Sequence, residues 1–319
     1  MRIAVVEDYA DAFRKTPAFA RLQGHEVSVH TEPEKDLDRL AAKIADAQVV
    51  VLTQQRTRFP RALIERLPKL EFISQTGRNT GHLDTKACGE RGIVVSAIGG
   101  GQPHATVELT WGLIIAALRH IPYEVERLKA GHWQSTLGTR LYGLTLGIYA
   151  YGRIGKLVAD VGAAFGMRVV CWGREGSLAR ARADGREIAA SREAFFGESD
   201  VVSLHIPFRD ESTRAIVTAH DLALMKPTAL VANTSRAEII EEGALAAALK
   251  AGRPGYGAVD VLENEPVVGA QHPLLHLRNA ICTPHLGYAT HETIRSHYED
   301  AVDQILAYAV GKPINVVIP

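Results

Sequence analysis

The sequence predicts an α/β protein made of two parallel-sheet domains. Apolar strand-like runs alternate with helical patterns through the first hundred residues, and a cluster of glycines then breaks the alternation. A second alternating series follows and opens on a glycine-marked turn. A length of 319 residues is also long for one hydrophobic core.

The first series reads as strands at Arg2–Val6, Glu26–His30, Val49–Leu52, Phe72–Gln75 and Ile93–Ser96, with helices between them. Strands separated by helices pair in parallel, because the crossover helix returns the chain to the same sheet edge. Gly99-Gly100-Gly101-Gln102-Pro103 reads as a hinge, and a helix from Ala105 to His120 follows it, with Trp111, Leu113, Ile114 and Leu118 on its apolar side. The second series has strands at Thr145–Tyr149, Val169–Trp172, Val201–His205, Ala229–Asn233, Gly257–Val261 and Ile281–Thr283, enough for a complete Rossmann-like unit. The last helix, His291 to Val310, carries Ile294, Tyr298, Ala301, Ile305 and Tyr308 on one side and lies beyond that unit, so it can return to the first domain. The expected division is 1–100 with 288–319, enclosing 101–287.

Bulk properties exclude several functions. Lys plus Arg and Asp plus Glu are both 36, so no global field favours nucleic acid or an anionic membrane. Met1 leads directly into a strand without the pattern of a signal peptide, and no apolar run approaches the ~20 residues of a membrane span. Cys88, Cys171 and Cys282 are scattered without metal-ligand spacing and read as apolar fillers in a reducing compartment. The expectation is a cytoplasmic protein with no metal, nucleic-acid or membrane partner.

The segment Leu146-Gly147-Ile148-Tyr149-Ala150-Tyr151-Gly152-Arg153-Ile154-Gly155 lies between a strand and a helix, Lys156 to Phe165. Strand, tight turn and helix N-terminus make a dinucleotide pyrophosphate site, where backbone N–H groups and the helix dipole receive the phosphates. Tyr151, Gly152, Arg153, Ile154 and Gly155 are the candidate contacts. The first glycine of the G-x-G-x-x-G pattern is here Ala150, which fits a tight turn only if its φ stays negative.

Three further segments fall at C-terminal strand ends, where open α/β sheets bind ligands: Asn233-Thr234-Ser235-Arg236, Asp260 to Pro266, and Thr283-Pro284-His285-Leu286-Gly287. Arg236 suits bidentate binding of a substrate carboxylate. His285 suits proton exchange with a carbonyl or hydroxyl oxygen, and Glu265 would fix its tautomer and stabilise the imidazolium. Such a set fits hydride transfer between a nicotinamide and a 2-keto or 2-hydroxy acid.

With these residues, Leu204-His205-Ile206-Pro207 and Glu211-Ser212-Thr213, the chain resembles over essentially its whole length the D-isomer-specific 2-hydroxyacid dehydrogenases, the family of phosphoglycerate dehydrogenase and glyoxylate/hydroxypyruvate reductase. The resemblance implies a discontinuous, flavodoxin-like substrate domain beside an NAD(P)-binding Rossmann domain. It assigns Arg236, Glu265 and His285 to catalysis and Asp260 to the nicotinamide carboxamide. His205, Ile206, Pro207, Thr213, Asn233, Thr234, Ser235, His285 and Gly287 it places on the cofactor side. It also implies a homodimer through the helix after the hinge and its neighbours, to which Trp111 and Trp133 would contribute.

Two departures bear on specificity. At the end of the second Rossmann strand, where NAD-dependent members commonly have aspartate, the chain has Gly173, followed by Arg174, Glu175 and Ser177. Loss of the carboxylate and gain of Arg174 and Ser177, with Arg180 nearby, favour NADP(H) over NAD(H), whereas Glu175 in the ribose role would restore NAD. In the substrate loop, Thr76-Gly77-Arg78-Asn79, Asn79 replaces a glycine of the family pattern and Arg78 adds a cation, which suits a substrate with a second acidic or polar group. Thr76, Gly77, Arg78, Asn79 and Arg236 are thus the candidate substrate contacts, while Arg56 and Arg58 read as surface charges. His25, His30, His120, His132, His220, His272, His276, His291 and His297 read as solvated, and His104, close to the hinge, is given no role. Two alternatives compete: a formate-type dehydrogenase, which would pair its histidine with glutamine rather than Glu265, and a non-catalytic, dinucleotide-sensing corepressor on the same fold.

Overall fold

The computed structural model describes residues 1–99, 102–208 and 211–319, so Gly100 and Gly101 of the expected hinge lie outside the described residues. The chain forms two units, Met1–Gln102 with Thr290–Pro319, and Pro103–Ala289.

The first unit contains β1 (Arg2–Val6), β2 (Glu26–Val29), β3 (Val49–Thr53), β4 (Phe72–Thr76) and β5 (Val94–Ile98). They pair in parallel in the order β2-β1-β3-β4-β5, the flavodoxin-like arrangement, and the C-terminal strand Val316–Ile318 adds antiparallel to β5. Parallel strands covered on both faces should be apolar throughout, and Val49-Val50-Val51-Leu52-Thr53 is buried at every position. Alternate residues serve opposite faces: Val50 and Leu52 pack with Leu40, Ile44, Leu63 and Ile64, whereas Val49 and Val51 meet Tyr298, Ala301, Val302 and Ile305. The latter four come from the C-terminal helix His291–Ala309, which therefore completes this unit's core. Its Tyr308 stacks on Phe72 at 4.4 Å, and Tyr298 meets Phe13 edge-on at 5.1 Å.

The second unit contains β6 (Thr145–Tyr149), β7 (Arg168–Trp172), β8 (Glu187–Ile188), β9 (Val201–Leu204), β10 (Leu230–Asn233), β11 (Tyr256–Val259) and β12 (Ala280–Cys282). The sheet is parallel in the order β8-β7-β6-β9-β10-β11-β12. Chain order reverses between β6 and β9, which makes the crevice beyond their carboxyl ends the expected ligand site. The helix His104–Leu118 buries Trp111 in this unit's own core, tilted against Phe165 at 5.1 Å. Trp111 is therefore interior and no surface contributor, a correction to the interface expectation. The helix is apolar nearly all round, and Trp111 lies where helix 153–164 packs closely, with Gly162 leaving room for its ring. The short helix Ile121–Lys129 and the segment after it are not evident from the sequence. They expose Leu128, Trp133 at 82% and Leu137 at 92%. Among the described residues no helix is long and apolar enough to cross a membrane.

Candidate active site

The glycine turn follows β6 and enters the helix Arg153–Ala164. Ala150 stands at φ +73°, contrary to the negative φ inferred for it, so an alanine occupies a left-handed position that glycine would take without strain. Its N–H donates to the Trp172 carbonyl at 2.8 Å and its carbonyl accepts from Gly152 at 2.9 Å, so the turn holds it there. Gly155 faces that same carbonyl: a Cβ would come within 2.5 Å of it, so this helix can approach the strand only through glycine. A Cβ on Gly152, by contrast, would meet nothing within 4 Å. Open space over Gly152, beside the first-turn amides of Arg153 and Ile154, fits a dinucleotide pyrophosphate.

Tyr151 and Ser177 are tied to each other at this turn. The Tyr151 N–H donates to Ser177 Oγ at 2.6 Å, its carbonyl accepts from Arg180 Nε at 3.2 Å, and its buried hydroxyl donates to Asp184 at 2.9 Å. Each polar group of Tyr151 is thus engaged in bracing the turn, and Ser177 and Arg180 are braces with it. Gly173, at φ +152°, occupies backbone that an aspartate would adopt only with strain. Arg174 is exposed, with Nη2 3.0 Å from Ser212 Oγ, and Glu175 is paired with Arg182 at 2.6 Å.

Beyond β9, the His205 imidazole turns back to Ser203 Oγ at 2.9 Å, and burial pushes its pKa down to about 4, keeping it neutral. Ile206 packs in the core, and Thr213 Oγ1 donates to the Pro207 carbonyl at 3.3 Å. After β10, buried Asn233 accepts the Ser235 N–H at 3.0 Å and donates to the Arg236 carbonyl at 2.8 Å, an Asx turn that shapes the arginine loop. Thr234 meets the Thr110 hydroxyl at 2.8 Å, and Ser235 Oγ donates to the Leu204 carbonyl at 2.8 Å. Arg236 itself is half-buried, with Nη1 2.7 Å from the Ser235 carbonyl.

Asp260, just after β11, is 1% exposed. Its carboxylate accepts from the Thr283 hydroxyl at 2.5 Å and from the amides of Leu286 and Gly287, both at 2.7 Å. Burial raises its pKa, and these donors oppose the rise. Asp260 therefore clamps the loop 283–287. Gly287 belongs to the same network, its N–H donating to Asp260 and its carbonyl accepting from Thr106 Oγ1 at 2.9 Å. The clamped loop holds His285 at φ +54° and brings its Nδ1 to 2.6 Å from Glu265 Oε2. The carboxylate is an acceptor, so Nδ1 carries a proton and Nε2 is the nitrogen that exchanges one. Both side chains are about one-third exposed, open enough for substrate access.

In the first unit, Thr76 is buried and its hydroxyl accepts the Gln54 N–H at 2.9 Å, while the Gly77 N–H donates to the Ile98 carbonyl at 2.7 Å. The Gly77 N–H is thus engaged within the protein, the Thr76 hydroxyl keeps its own proton to donate, and Arg78 and Asn79 are exposed. His297 is 5% exposed and bonded to Gln54 at 3.1 Å, not solvated as its sequence position suggested. Two residues not singled out from the sequence, His272 and Glu263, form a second histidine–carboxylate pair at 2.7 Å beside Glu265. A proline following His272 marks a capping turn, which was the available signal.

The chain is similar to known proteins over most of its length. Residues 111–287 match the family described as D-isomer specific 2-hydroxyacid dehydrogenase, NAD binding domain. The glyoxylate reductase of Aeropyrum pernix is 36% identical over 289 residues, covering 86% of this chain and 84% of that protein. The D-3-phosphoglycerate dehydrogenase of Methanocaldococcus jannaschii is 36% identical over 282 residues, of which the chain spans 53%. A solved phosphoglycerate oxidoreductase from Vibrio cholerae superposes with a TM-score of 0.93 at 41% identity, covering 98% of this chain and 99% of that one. The class is that of nicotinamide-dependent oxidoreductases. Within it, the chain belongs to the D-isomer-specific 2-hydroxyacid dehydrogenase family.

Proposed function

We propose that the chain interconverts a D-2-hydroxy acid and its 2-keto acid, with His285 as acid–base, Glu265 as its partner and Arg236 as the carboxylate anchor. The observation that carries the reading is the 2.6 Å His285–Glu265 pair on a clamped loop at the carboxyl end of the sheet. When bound, the reduced nicotinamide supplies a hydride to the carbonyl carbon. His285 gives the Nε2 proton to the carbonyl oxygen, and Glu265 stabilises the imidazolium before that transfer. Arg236 holds the carboxylate with charge-assisted hydrogen bonds. Arg78 and Asn79 are proposed as further substrate contacts, suited to a substrate with a second acidic or polar group. NADP(H) is favoured over NAD(H), because Gly173 supplies no carboxylate, Glu175 is paired with Arg182, and Arg174 stands exposed at the same strand end. A homodimer is proposed to cover exposed Trp133 and Leu137. A cytoplasmic setting fits three cysteines free of disulfides.

The test is a panel of 2-keto acids assayed with NADPH and NADH in wild type and His285→Ala. The variant should retain cofactor binding by fluorescence and lose on the order of 10²–10⁴-fold in kcat. A folded His285→Ala protein with wild-type turnover would end this mechanism and leave the dinucleotide-sensing alternative.

A further inference from the structure

Glu265 is carried on a long irregular connection. Between β11 and the short turn Pro273–His276, residues 260–272 contain no helix or strand. Its two ends are fixed by buried Leu262 and Leu274, which join one apolar cluster. Between them the chain has no regular ladder to set the carboxylate's position, and long irregular segments open locally unless they are tied. Glu265 is tied locally by the Leu262 N–H, which donates to Oε1 at 2.8 Å, and Val267 packs against the same cluster two residues on.

His272 closes this connection on itself. Its Nε2 lies 2.7 Å from Glu263 Oε2, and its Nδ1 accepts the Leu274 N–H at 3.3 Å. A ring nitrogen that accepts an amide N–H carries no proton, so Nε2 is the protonated one and donates to the carboxylate. The side chain is 11% exposed, in place of the solvated setting its sequence position suggests. One imidazole thus caps the turn Pro273–His276 with one nitrogen and ties Glu263, two residues before Glu265, with the other.

Resting on the reading of His285 and Glu265 as the acid–base pair, we infer that His272 is a positioning residue for catalysis, holding Glu265 at His285 through its hydrogen bond to Glu263. It touches neither substrate nor cofactor. The tie fixes where the loop presents the Glu265 carboxylate, and a displacement of about 1 Å in a catalytic group is enough to cost on the order of a hundredfold in rate.

The two nitrogens make the inference testable, because two amides mimic them separately. His272→Asn keeps a capping oxygen near the Nδ1 position but does not reach Glu263. His272→Gln places an amide donor near the Nε2 position and gives up the cap. Turnover and KM are measured for each with NADPH and the best keto acid of the panel, together with cofactor affinity and Tm, beside Glu263→Ala and Glu265→Gln. His272→Asn and Glu263→Ala should each lose on the order of tenfold to a hundredfold in kcat, with KM and cofactor affinity within about twofold of wild type. Combined, they should lose no more than either alone, since both remove one tie. His272→Gln should recover most of the turnover while melting lower. A role confined to the cap predicts the reverse, stable turnover in Glu263→Ala and loss of Tm alone in His272 variants, and that result overturns the inference. If Glu265→Gln loses turnover while His272→Asn does not, the inference fails and the acid–base pair stands. Full turnover in Glu265→Gln overturns both.

Discussion

Ala150, like Ala215 and Ala270, is a non-glycine residue held at positive φ. A left-handed φ costs an L-residue about 1–2 kcal/mol, and glycine returns part of that through its more flexible unfolded chain. Ala150→Gly should therefore stabilise the protein by about 0.5–1 kcal/mol, read as a higher urea midpoint at unchanged m. A lower midpoint would mean that the methyl group contributes packing worth more than the strain. The residue types of the candidate site were legible in the sequence, because Arg236, Glu265 and His285 are recognisable by chemistry and by their place at strand ends. What was not legible was where their neighbours' hydrogen bonds go. Ser177, Thr76, Gly77, Asp260 and Gly287 read as ligands because each carries a suitable polar group, and in the structure each also makes a hydrogen bond within the protein. Such pairings join residues far apart in the chain, as when Tyr151 reaches Ser177, and no local pattern announces them.

At the scale of elements, the proposed preference for NADP(H) rests on the start of helix Glu175–Ala183. Arg174 is its N-cap residue and stands beside Gly173, so a 2′-phosphate there meets a cation and the positive end of the helix dipole. Arg174→Ala should weaken NADPH by on the order of tenfold to a hundredfold, a charged hydrogen bond being worth about 1.5–3 kcal/mol, and leave NADH nearly unchanged. Titration of cofactor fluorescence measures both. Tighter binding of NADH than NADPH by the wild type would return the ribose role to Glu175 and break its pairing with Arg182. Elements of five buried residues, such as β3, were readable because their apolar runs are continuous. The two-residue β8 and the helix Ile121–Lys129 were not, the first for its brevity and the second because it buries no residue that would set a period.

At the scale of the whole molecule, neutral buried histidines govern acid stability. Burial lowers the pKa of His82, in the first unit, and of His205, in the second, from 6.5 to about 4. Between those values the unfolded chain binds protons that the folded chain refuses, so stability is lost as pH falls from about 6.5 towards 4. Urea unfolding at pH 7 and pH 5 should show the loss, and His205→Gln should flatten it; an equal pH dependence in the variant would sink the assignment. Oligomeric state is testable at the same scale. Trp133→Glu combined with Leu137→Glu should convert the proposed dimer to monomer in sedimentation, and an unchanged mass would place the interface elsewhere. The discontinuous layout was legible because the last helix has an apolar stripe and lies beyond the final strand of the Rossmann series.

That layout also orders events during synthesis. Residues 103–289 are continuous, so this unit has all its strands before the remainder of the chain is made. The first unit does not: β1 and β3 precede residues 103–289, but Tyr298, Ala301, Val302 and Ile305, which cover one face of them, follow those residues. Until that helix arrives, this face of the sheet stays uncovered, and the nascent chain carries an adhesive surface throughout the synthesis of residues 103–289.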